Sequence, residues 1–126
     1  YLDGIVEEYG PFYGILGYSQ GCPMATVYIA NSNASFEKAF LFNGYLPTTH
    51  SGLNDTINEV APLDVDALIF GGANDVFMFG VQELAGVYHE PTIVISSTAD
   101  HYLPFSDDEA YGDVLAFFRE GTNENL

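Results

Sequence analysis

Gly14-Ile15-Leu16-Gly17-Tyr18-Ser19-Gln20-Gly21-Cys22 places an apolar run directly before a G-x-S-x-G pentapeptide and the onset of a helical pattern. The run through Tyr18 predicts a short buried strand, and Cys22 to Ala30 predicts a helix. A serine between such a strand and such a helix sits on a sharp, strained turn that raises its hydroxyl above the sheet. The two flanking glycines remove side chains that would clash with the neighbouring strand and helix. Helix onset just after Ser19 also aims backbone N–H groups, beginning with that of Gln20, at negative charge developing there. The alternative is an ordinary polar turn, since glycine and serine are both common residues.

Outward from this unit, helices and strands alternate. Upstream, Tyr1 to Tyr9 has a helical pattern, with Leu2, Ile5, Val6 and Tyr9 on one face and Gly10-Pro11 as the stop. The strand before the serine is expected over about 13–18, and its helix over about 20–31, ending in Asn31-Ser32-Asn33. Further strands are expected over 39–44, 67–70 (closed by Gly71-Gly72) and 92–96. Further helices are expected near 53–60, 80–88 and 107–119, the last with acidic residues in its first turn, as the helix dipole favours. The strands are continuous apolar runs, which implies burial on both faces. Strands separated by helices then form a parallel sheet with right-handed crossovers. The expected class is α/β, with about four parallel strands flanked by helices on both faces. In such sheets reactive groups gather at the carboxyl ends of the strands.

Composition narrows the functions. At 126 residues the chain is one domain, and 48% apolar residues with ten Phe and nine Tyr suffice for a packed core. Two basic residues, Lys38 and Arg119, face eighteen acidic ones, for a net charge of −16. Such a surface repels nucleic-acid phosphates and anionic lipid, so neither is an expected partner. The scattered acids read as a solubilising coat, and no D-x-[DN]-x-[DN]-G loop suggests calcium. No apolar run nears the roughly 18 residues of a membrane span. The single cysteine, Cys22, cannot form an internal disulfide, which fits a cytoplasmic setting. No histidine pair has metal-ligand spacing, and Gly71-Gly72 does not open a dinucleotide motif, so no metal or cofactor is expected. Tyr1 lies inside a helical pattern, so the chain reads as part of a longer fold.

Three strand ends carry reactive side chains in the order Ser19, Asp75, His101. A serine hydroxyl needs a base to take its proton; imidazole titrates near working pH, and a carboxylate can orient it. Asp75 could instead cap a helix, and Asp100 is the rival acid. His101 could be a plain loop residue. His50 in the polar loop and His89 after a helix fit the role less well.

Gly10 to Gly21 (GPFYGILGYSQG) resembles the "GPFDGILGFSQG" block of the FSH-type serine hydrolases, a branch of the α/β-hydrolase superfamily. Phe42-Asn43-Gly44-Tyr45-Leu46-Pro47 is similar to that family's "SGFLP", Gly71 to Asp75 to its "GExD", and His101-Tyr102-Leu103-Pro104 to its "GGHxxP". The resemblance implies Ser19 as nucleophile, Asp75 as orienting acid and His101 as general base. It also implies a partial α/β-hydrolase fold whose amino-terminal strands, and with them the second oxyanion donor, are absent. Only the Gln20 amide remains, and loss of one donor typically costs about 10²–10³ in rate. Two departures stand out: Asp100 replaces the glycine before the histidine, and Asn43 replaces the serine before Gly44. The expected substrate is a small ester or thioester with a short to medium acyl group, held by Tyr45, Phe77, Phe79 and Leu103, without a cofactor. The alternatives are a non-catalytic relic that binds a ligand or partner, and an acyltransferase or thioesterase module of a larger synthase. Without neighbouring strands, the apolar stretch 14–17 is an uncharged edge, for which self-association is expected.

Overall fold

Four strands lie side by side in chain order: β1 (Gly14–Tyr18), β2 (Lys38–Phe42), β3 (Asp66–Gly72) and β4 (Thr92–Ser96). All pairs are parallel, with Gly14 opposite Lys38, Lys38 opposite Asp66, and Leu68 opposite Thr92. Each connection runs through a helix: α2 (Gly21–Asn31), α3 (Ser51–Val60) and α4 (Phe79–Ala85), with α1 (Leu2–Tyr9) before the sheet and α5 (Tyr111–Arg119) after it. The structure, a computed structural model, describes residues 2–10, 12–31 and 36–120, and only the backbone of Val6. Tyr1, Pro11, Ser32 and Asn33, which the sequence places at element ends, lie outside the described residues.

The side-chain alternation of the strands explains their unbroken apolar runs. Ala39 and Leu41 of β2, with Ala67 and Ile69 of β3, pack against Cys22 and Ala25 of α2, Ile57 of α3, and Val81 and Leu84 of α4. Phe40 and Phe42 of β2 point the other way, with Leu68, Phe70 and Val94, and are covered by Ala110 and by Phe117 of α5. Both faces therefore carry helices. β2 is buried along its whole length, whereas β1 is an edge strand whose Leu16 is 59% exposed.

Some boundaries differ from the sequence pattern for local reasons. β3 continues through Gly71 and Gly72, which pair with Ile95 and Ser96. α4 stops at Ala85, and the chain turns so that Tyr88 bridges to Leu63. α5 starts at Tyr111 rather than near 107, because Asp108 is committed elsewhere. One of its oxygens accepts the Ser96 hydroxyl at 2.6 Å and the other the Ala110 N–H at 2.8 Å, which ties the loop to the end of β4. No helix among the described residues is long and apolar enough to cross a membrane.

Candidate active site

The carboxyl ends of all four strands deliver a polar side chain to one place. Ser19 follows β1, Asn43 follows β2, Asp75 lies just beyond β3, and His101 lies in the loop after β4. Ser19 has a positive φ of 55°, the strained left-handed backbone that a tight strand-to-helix turn requires. Its N–H donates to the Phe42 carbonyl at 2.9 Å, and its own carbonyl accepts the Cys22 N–H at 3.1 Å, the first turn into α2. The turn is so tight that a Cβ at Gly17 would come within 2.7 Å of the Gly21 carbonyl oxygen. Gly44 is equally constrained, since a Cβ there would lie 2.2 Å from the buried Cys22 Sγ. Burial pushes the Cys22 thiol up to about 12, against hydrogen bonds with the Phe42 and Ser19 backbone that pull it down, so it is a packing group and not a nucleophile.

His101 sits between the serine and the acid. Its Nε2 is 2.8 Å from Ser19 Oγ, and its Nδ1 is 2.8 Å from Asp75 Oδ2. The Asp75 side chain is only 1% exposed. Burial by itself would raise the Asp75 pKa. Hydrogen bonds from the Phe77 N–H (2.9 Å to Oδ1), from His101 and from Asn43 Nδ2 (3.2 Å to Oδ2) outweigh it, and the net shift is downward. An ionised carboxylate only accepts, so the proton of a neutral imidazole belongs on Nδ1. The Nε2 lone pair is then left facing the Ser19 hydroxyl. The ring is flanked by Tyr18 and Phe77, at centroid distances of 5.3 and 5.2 Å, and the Tyr18 hydroxyl donates to the His101 carbonyl at 2.6 Å.

The rival groups lie elsewhere. Asp100 is exposed, and its carboxylate accepts the His101 backbone N–H at 2.8 Å rather than meeting the ring. His50 caps α3, its Nδ1 accepting the Leu53 N–H at 3.2 Å. His89 is exposed, 3.7 Å from Glu90. Among the described residues, no group of three His, Cys, Asp or Glu side chains is arranged to hold a metal ion.

A hollow of about 430 Å³ opens at Gln20, the residue after the serine, and is walled by Gln20, Pro23, Tyr45, Pro47, Phe77 and Phe79. Tyr45 and Phe77 meet edge to face at 5.1 Å, and Glu83 fixes their rim by accepting the Leu46 N–H at 3.2 Å. Leu103 is 43% exposed and is not on this wall. Asn43 and Tyr18 reach the histidine loop without any sequence signal. Asn43 registers only as a departure from "SGFLP", and Tyr18 occupies a variable place in G-x-S-x-G.

Known structures share this architecture. An esterase domain from Rhodothermus marinus superposes with a TM-score of 0.64 at 18% identity, over 93% of this chain and 64% of that one. A Bacillus cereus carboxylesterase gives 0.64 at 19% identity, over 94% of this chain and 56% of its own length. The chain thus spans less than two thirds of either esterase structure, as a partial α/β-hydrolase fold. Comparison with curated proteins finds no match. The family model described as "Serine hydrolase (FSH1)" matches residues 1–111. Spanning most of the sequence and all four strands, that match shows that the chain belongs to the FSH1 serine hydrolase family.

Proposed function

We propose that this chain carries the reactive centre of a hydrolase that cleaves small carboxylic esters or thioesters through an acyl-enzyme. One observation carries the reading: the unbroken hydrogen-bonded series Ser19 Oγ, His101, Asp75, with both links at 2.8 Å. Ser19 attacks the carbonyl carbon while His101 Nε2 takes its proton. The imidazolium then protonates the leaving alkoxide or thiolate. Water repeats the sequence on the acyl-serine, with His101 again as base, and releases the acid. Asp75 holds the Nδ1–H tautomer and stabilises the imidazolium. The Gln20 N–H, at the start of α2, is the oxyanion donor this chain supplies. Tyr45, Phe77 and Phe79 give the acyl group an apolar wall, and no cofactor enters the scheme.

A fluorophosphonate probe tests this directly. The chain should form a covalent adduct detectable by mass spectrometry, and Ser19→Ala should abolish it. Labelling that survives in Ser19→Ala would remove Ser19 as nucleophile. A second reading, a non-catalytic binding module, draws on the apolar hollow at Gln20, which could hold a ligand without chemistry. It would be favoured by a folded chain that binds apolar acids in the hollow but never labels.

A further inference from the structure

Asn43 is the residue at which the strand-end block departs from the family-like serine. It is 1% exposed and has a positive φ of 56°. Its Nδ2 donates twice, to Asp75 Oδ2 at 3.2 Å and to the Asp100 carbonyl at 3.1 Å. Both partners are pure acceptors, so the chemistry fixes which end of the amide faces them. The Oδ1 at the other end is buried and has no hydrogen-bond partner among the described residues. An orphaned buried acceptor is costly, and flipping the amide would be worse, because it would set an oxygen against two oxygens. The orphan is the consequence of committing both N–H groups to one side.

Those two acceptors belong to different loops. Asp75 lies on the loop after β3, and Asp100 immediately precedes His101 on the loop after β4. A serine has one O–H and can serve only one of them, whereas the two hydrogens of an asparagine amide serve both. Resting on the hydrolase reading above, we propose that Asn43 is a positioning residue. From the inner strand β2 it clamps the acid loop to the histidine loop and so holds the Asp75 carboxylate in line with His101 Nδ1. It touches neither substrate nor the Ser19 hydroxyl and acts only through Asp75 and the His101 loop. This explains how the loop keeps its geometry with Asp100 in place of glycine. The Asp100 backbone carbonyl is pinned by Asn43, and its exposed carboxylate is turned back onto the His101 N–H.

The test compares the chain with Asn43→Ser and Asn43→Asp, following fluorophosphonate labelling against pH and probe concentration. Asn43→Ser should slow the bound labelling step about tenfold, the order of one lost charge-assisted hydrogen bond, with probe affinity nearly unchanged and the loss present well below the variant's own, somewhat lowered thermal midpoint. Asn43→Asp adds a negative charge beside the Asp75–His101 pair and should move the acid limb of the profile upward by about one unit. An unchanged rate in Asn43→Ser with an unmoved limb in Asn43→Asp would overturn the proposal. So would a rate loss that merely tracks unfolding. If the parent chain does not label at all, the hydrolase reading fails separately, and Asn43 is judged by the ¹⁵N signals of the His101 ring. The parent should then show the Nδ1–H tautomer and Asn43→Ser a mixture of tautomers; identical ring signals in the two would overturn the clamp. In the parent chain, one Asn43 side-chain amide proton should also shift as Asp75 titrates, and its indifference would count equally against the clamp.

Discussion

An imidazole held between an ionised carboxylate and a serine hydroxyl has one useful tautomer, and the carboxylate selects it. Asp75→Asn replaces an acceptor with a group that can present N–H to Nδ1, which would push the ring proton to Nε2. Labelling or ester turnover should fall by up to ~10⁴, while Asp100→Asn, which alters only a bond to backbone, should cost little. Single-turnover rates of the two variants check this ranking, and its reversal would make Asp100 the acid. The chemical types and chain order of Ser19, Asp75 and His101 are legible in the sequence because each stands just past an apolar strand. Asn43 and Tyr18 are not legible, because their contacts depend on strand register and side-chain direction across the sheet. Leu103, placed beside His101 by the sequence, is 43% exposed and does not line the hollow walled by Tyr45, Phe77 and Phe79.

At the scale of elements, alternating runs of apolar strand and amphipathic helix are enough to read the α/β layering. The ends of the elements are harder, because they are set by side chains bonding across the fold. Asp108 is well placed for a helix start by charge pattern, yet it bonds Ser96, and α5 begins after it. His50 reads as a loop residue, yet it caps α3. β1 is the element with the clearest outstanding consequence: among the described residues it pairs on one side only, and Leu16 is exposed on it. Such an uncharged edge accepts another strand. The chain should therefore self-associate with rising concentration, and Leu16→Lys should weaken this. Sedimentation velocity over a range of concentrations checks it; a chain that stays monomeric at high concentration would rule the edge out as a sticking point.

Across the whole molecule, a net charge of −16 opposes compaction and the two packed layers resist it. That contest is least favourable at the rims of the sheet. β2 and β3, which deliver Asn43 and Asp75, are the inner strands; β1 and β4, which deliver Ser19 and His101, are the outer ones. On the proposed mechanism, the two groups that exchange a proton therefore sit on the margins, and the two that hold the arrangement steady sit in the middle. Margins open before centres, with free energies well below that of global unfolding. Chemical competence should accordingly be lost earlier than shape. In a urea series, the labelling rate of Ser19 should collapse at concentrations where amide hydrogen exchange of β2 and β3 still reports an intact core. Coincident curves would mean that the sheet melts as a unit. If they separate, reactivity at Ser19 becomes a gauge of how firmly the rims of the sheet are sewn down, and a ligand bridging the Ser19 and His101 loops would act as the stitch.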